Sequence, residues 1–114
     1  MTCQGTVVFR GESGERYRFQ VWPLGTRFKA VGAVCIFSKR TFSNPTFTQT
    51  ASHKCLCIGE TSDLSRLPYQ LPQASSADCV CVYLAGEEQQ RHSVQRDLLD
   101  GLGVWSSTLA VALP

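Results

Sequence analysis

A chain of 114 residues, 43% apolar and 18% charged, has the length and balance of one globular domain, which excludes a disordered chain and a coiled coil. No apolar run approaches the roughly 18 residues of a membrane span, and Met1-Thr2-Cys3-Gln4 has neither the cationic start nor the apolar core of a secretion signal, so a cytoplasmic protein with no membrane partner is expected. The net charge of +2 conceals a division: residues 1–58 hold eight Lys or Arg against two Glu, and residues 59–114 hold three Arg against seven acids.

Thr6–Arg10, the turn residues Gly11-Glu12-Ser13-Gly14 and Glu15–Trp22 predict a β-hairpin over residues 6–22. In its second arm Tyr17, Phe19 and Val21 share one face, and Arg16, Arg18 and Gln20 the other, which predicts a half-buried strand ended by Pro23. The apolar run to Phe37 predicts a central strand over Val31–Phe37. Residues 38–53, rich in Ser and Thr around Asn44-Pro45, read as a long loop. Cys55–Ile58 is a short strand, followed by a helix near 62–67 that Thr61 or Ser62 caps and Pro68 and Pro72 stop, with Tyr69–Ala77 irregular. Cys79–Leu84 is the last clear strand, and 87–100 the last helix, with Gly101 and Gly103 as its stop. The apolar tail 104–114 is suited to docking on the domain or on a second subunit.

These elements define an α+β domain with a small antiparallel sheet and flanking helices. Gly32-Ala33-Val34-Cys35-Ile36-Phe37, then Cys57-Ile58-Gly59-Glu60-Thr61-Ser62-Asp63-Leu64, then Gln95-Arg96-Asp97-Leu98-Leu99 resemble in order and spacing the GIY-YIG nuclease family. The resemblance covers Ala33–Leu99 and implies a GIY-YIG-like core over 31–100, with the N-terminal hairpin added to it. In that family two tyrosines and an arginine assist attack on a phosphodiester, and a glutamate holds magnesium. Here Cys35 and Cys57 stand at the tyrosine positions, Gln95 at the glutamate, and Arg66 one residue nearer the glycine than the family's arginine. The resemblance therefore implies a scaffold that has lost the chemistry and serves as a binding module for nucleic acid or protein, without a cofactor. The alternative is an active endonuclease, in which case magnesium is the cofactor.

The six cysteines read as thiols in a reducing compartment. Because strand residues two apart share a face, Cys55-Leu56-Cys57 and Cys79-Val80-Cys81 offer a second alternative, a structural zinc site, against simple core packing. His53 and His92 form no hydrolytic triad pattern with a neighbouring Ser, Cys or Asp. The strongest positive feature outside the resemblance is basic: Arg16, Arg18, Arg27, Lys29, Lys39 and Arg40 interleave with Tyr17, Phe28 and Phe42, a pattern that offers charge to phosphates and rings to exposed bases.

Overall fold

The period-two pattern of residues 16–22 belongs to a strand with one buried side. In the computed structural model, which describes residues 3, 5–42, 51–67, 76–102 and 109–112, that strand is second in a six-stranded sheet. The elements in chain order are β1 (Thr6–Arg10), β2 (Arg16–Pro23), β3 (Ala33–Phe42), β4 (Ala51–Thr61), a 3-10 turn (Leu64–Arg66), β5 (Cys79–Leu84), α1 (Glu88–Leu102) and β6 (Leu109–Ala112). The sheet order is β1-β2-β5-β3-β4-β6. Two hairpins, β1–β2 and β3–β4, thus flank β5, which pairs antiparallel with β2 and β3.

Several expectations change. The sheet is antiparallel over five strands, but β6 adds a parallel edge, from Cys57 opposite Leu109 to Glu60 opposite Ala112. The tail at 109–112 therefore docks on the domain's own β4. The long loop expected over 38–53 is strand at both ends, because β3 runs on to Phe42 and β4 starts at Ala51. Polar side chains there reflect a two-stranded arm projecting beyond the core, where neither face needs to be apolar. Residues 43–50 lie outside the described residues, as do Pro68, residues 69–75 of the irregular stretch expected over Tyr69–Ala77 (Pro72 among them), Gly103, and tail residues 104–108, 113 and 114. The helix expected near 62–67 is a single 3-10 turn, capped by Asp63, whose carboxylate accepts from the Ser65 N–H, and not by Thr61 or Ser62. Leu67 leaves it in extended conformation just before Pro68, as the restriction on residues preceding proline favours.

A β-bulge sits in β4. Phe37 pairs with Cys57 and Ser38 with Cys55, leaving Leu56 as the extra residue. Cys55 consequently packs in one core layer, with Cys79 and Cys81, while Cys57 packs in the other. The expectation that Cys55 and Cys57 share a face fails for this reason, and with it the four-thiol arrangement. All six cysteines stand as thiols.

The two layers lie on the two faces of the sheet. Under α1 are Phe9, Phe19, Val21, Val34, Ile36, Ile58 and Cys81, joined by Val94 and Leu98 of the helix. On the opposite face Ala33, Cys35, Phe37, Cys57, Val80 and Val82 are covered by Leu64 of the 3-10 turn and by Leu24 and Phe28 of the β2–β3 link. Burial of each large side chain contributes roughly 1.5–3 kcal/mol.

Helix α1 is fixed by two polar anchors. Arg91, only 5% exposed, donates from Nε to Glu60 Oε2 at 2.7 Å and from Nη1 to the carbonyls of Ala85 (3.1 Å) and Gly86 (2.9 Å). Residue 32 is glycine because a Cβ there would stand 2.5 Å from Arg91 Nη1 and 2.7 Å from the Ala85 oxygen. At the other end Asp97 reaches the β1–β2 turn. It accepts from the Ser13 N–H (2.8 Å), the Ser13 hydroxyl (2.6 Å) and the Tyr17 hydroxyl (2.7 Å). Gly101 allows the close approach, since a Cβ there would lie 2.5 Å from the Glu12 nitrogen.

The Asp97 cluster sets a pH dependence at both extremes. Hydrogen bonds from Ser13 and Tyr17 hold the Asp97 carboxyl below its ordinary 3.8, while burial first, and then the bond to Asp97, push the Tyr17 phenol up to about 12. A carboxyl lowered in the folded state contributes stability that is present above 3.8 and lost as pH falls through its depressed value. A phenol raised from 10.0 contributes below that value, and the contribution is lost as pH rises through about 12. Asp97→Asn should therefore bring the Tyr17 titration, followed by tyrosinate absorbance, back toward 10.0, and should flatten the fall in stability in acid. An unmoved Tyr17 titration would contradict the assignment.

Candidate nucleic-acid interface

Because β2 alternates, the face that is not under α1 carries Arg16, Arg18, Gln20 and Trp22. The register of β1 then adds Arg10 opposite Arg16, and Val8 opposite Arg18. On β3 the alternation from Cys35 and Phe37 places Lys39 on the same face, opposite Lys54 of β4. The β2–β3 link, which crosses this face, contributes Arg27 and Lys29. All seven cations are exposed, and none of them is ion-paired among the described residues.

Five of the six basic residues singled out from the sequence are thus brought to one face: Arg16, Arg18, Arg27, Lys29 and Lys39. Arg40 is not. It follows Lys39 in alternation, lies opposite His53 on the α1 side of the sheet, and is half-buried, its N–H donating to Asp78 Oδ1 at 2.8 Å. Of the interleaved rings, Tyr17 belongs to the α1 side and Phe28 to the basic face, while the side chain of Phe42 lies outside the described residues. Sequence reasoning missed Arg10 and Lys54. A four-residue turn at Gly11–Gly14 would set Arg10 opposite Glu15, and only the observed five-residue connection brings it opposite Arg16; for Lys54 the sequence carried no signal either, because the pairing of β3 with β4 is displaced by the bulge.

Two features of this face conflict with simple sheet stability. Arg10 opposite Arg16 and Lys39 opposite Lys54 are like charges at directly paired positions, an arrangement that is destabilising on the scale of roughly 0.2–1 kcal/mol per pair. Large apolar side chains are also left in water: Val8 is 49% exposed, Val31 40% and Leu84 59%.

Cys35, Cys57, Arg66 and Gln95, singled out from the sequence resemblance alone, do not form a common cleft. Cys35 and Cys57, each 1% exposed, lie in the layer beneath Leu64, and Arg66 is exposed on the 3-10 turn at that side. Gln95 is on α1, on the other face of the sheet, donating to the Ile58 carbonyl at 3.4 Å. Burial pushes the Cys35 thiol up to about 12 and raises that of Cys57. Both are protonated and shielded at neutral pH, unlike a nucleophile or metal ligand. Two buried thiols and an engaged amide do not suit magnesium, which takes oxygen ligands and usually carboxylates. Among the described residues no group of three His, Cys, Asp or Glu stands close enough to hold a metal ion.

His53 and Ser38 do meet, with Ser38 Oγ 3.1 Å from His53 Nδ1 and 3.5 Å from Cys81 Sγ. Ser38 is 0% exposed, and burial, followed by the charge of Arg40, lowers the His53 pKa. These contacts form a polar link across β3, β4 and β5, anchored at the buried Ser38. His92 instead lies 3.2 Å from Glu60 and 3.9 Å from Glu88 at the edge of the Arg91 anchor. Among the described residues no helix is long and apolar enough to cross a membrane.

No protein-family model matches the chain, and no curated protein or solved structure does so either.

Proposed function

We propose that this chain is a nucleic-acid-binding domain that engages phosphates through the sheet face opposite α1 and does not cleave them. The observation that carries the reading is the pairing of like charges, Arg10 with Arg16 and Lys39 with Lys54, on one face that also presents Arg18, Arg27 and Lys29. Such pairs are unfavourable alone and become favourable when an anionic backbone lies between them and releases its counterions. A relationship to the GIY-YIG scaffold is part of the proposal. Its support is the succession of β3, β4, the 3-10 turn, β5 and α1, with Cys57–Leu64 crossing from strand to turn. The split of Cys35 and Cys57 from Gln95 supports a scaffold without the nuclease chemistry.

The test is affinity as a function of salt, with cleavage scored in parallel in the presence of magnesium or manganese. With all seven cations on phosphates the slope of log affinity against log salt reaches about −6 on duplex DNA and about −5 on single strands. Arg16→Ala with Arg18→Ala should flatten it by about two units on duplex. Affinity indifferent to salt, or to loss of both arginines, would defeat the reading and leave this face to a protein partner. Cleavage abolished by Gln95→Ala would restore the enzyme.

A further inference from the structure

We propose, resting on the nucleic-acid reading above, that the ligand is single-stranded and that the concavities around Phe28 and Arg27 receive its unpaired bases. Three neighbouring clefts open on the basic face, with volumes of about 360, 420 and 260 Å³, and Arg27 and Phe28 line all three. The first is floored by Phe37, Leu64 and Val80, and the third by Val82 with the exposed Val31 and Leu84 at its mouth. Trp22 lines the second and third and meets Phe28 edge to face, with ring centroids 5.8 Å apart at 87°.

The chemistry of these walls selects the ligand. Apolar and aromatic surface next to a guanidinium suits a flat ring carried on an anion, which describes a nucleotide whose base is free to leave the stack. A duplex keeps its bases paired and stacked inside and presents phosphates and groove edges, so it would satisfy the cations and leave the apolar clefts unfilled. Several small clefts sharing one ridge also fit successive bases of an extended strand better than one deep pocket would.

The experiment compares three fluorescein-labelled ligands on the full chain by anisotropy: a ten-residue oligothymidylate, an abasic strand of the same length, and a duplex with the same number of phosphates. The thymidine strand should bind about tenfold or more tighter than the abasic one, since stacking contributes at each base. It should also quench Trp22 fluorescence in a Trp105→Phe protein, where Trp22 is the only tryptophan. Phe28→Ala should weaken the thymidine strand by about tenfold and leave the abasic strand unchanged. Because Phe28 also covers core residues, circular dichroism checks that variant, and the comparison of strands on the unaltered protein stands without it. Equal affinity for the thymidine and abasic strands, or a duplex that binds as tightly as the thymidine strand, overturns the inference while leaving phosphate binding intact. No binding of any of the three at low salt overturns both.

Discussion

Replacing Arg91 by Met should destabilise the domain by about 3 kcal/mol, the lower end of the range for breaking a buried ion pair from one side. The substitution keeps an unbranched chain in the space beside Gly32 but removes the only cation among the described residues that is both buried and hydrogen-bonded to Glu60. The Ala85 and Gly86 carbonyls lose their donor at the same time. Glu60 retains 24% side-chain exposure and the neighbouring His92, which is why the upper end of the range does not apply. For a domain of this size the thermal midpoint should fall by roughly 10–20 °C. A second variant separates an orphaned charge from lost packing: Arg91→Met with Glu60→Gln should recover part of the loss in urea unfolding. A change under about 1 kcal/mol in the single variant would show that the anchor is not holding α1 to β4.

Phe19→Ala should cost about 4 kcal/mol, within the usual range for truncating a buried phenylalanine. Phe19 is 0% exposed at the centre of the layer under α1, with the Phe9 ring edge-on at 5.4 Å and Tyr83 tilted against it at 5.6 Å. These rings come from β1, β2 and β5, so the void would open where the N-terminal hairpin joins the rest of the sheet. Phe19→Leu keeps most of the volume and should cost less than about 1.5 kcal/mol. Similar urea midpoints for the two variants would mean that the layer collapses around the missing ring. Loss of the hairpin alone, seen as exchange of β1 amides ahead of β3 amides, would show that the hairpin docks as a separate unit.

The parts of the fold legible in the sequence are those in which chemistry and geometry share one period. Tyr17, Phe19 and Val21 announced their common face because the opposite positions are polar, and Cys79–Leu84 matched β5 to the residue because turn-forming and charged residues bound an apolar run. The outer parts of β3 and β4 gave no such signal: Lys39–Arg40 and His53–Lys54 are polar at adjacent positions, and beyond Ser38 the two strands pair with each other and not with β5. Leu56 concealed the bulge because an apolar residue fits either phase. Arg91 was invisible as a core residue because its position in the helix stripe, between Glu88 and Val94, is normally apolar, and only the tertiary meeting with Glu60 explains a cation there. The basic face was mostly legible, since Arg16 and Arg18 follow from alternation and Arg27 and Lys29 from the link; Arg40 was misplaced because adjacent strand residues face opposite ways.

The extra residue in β4 also makes that strand a chain of two phases. From Cys57 onward its side chains keep step with β3 as the two layers require, while up to Cys55 they follow a step displaced by one. Had the ladder run unbroken, Lys54 would turn toward the helix side and Cys55 toward the cations. Leu56 thus works as a phase shifter, allowing the outer arm to aim Lys39 and Lys54 outward together while the inner half keeps Cys57 and Ile58 in the two cores. The arm and the body of the sheet can then change length and sequence by different rules, because an inserted residue between them has already been absorbed.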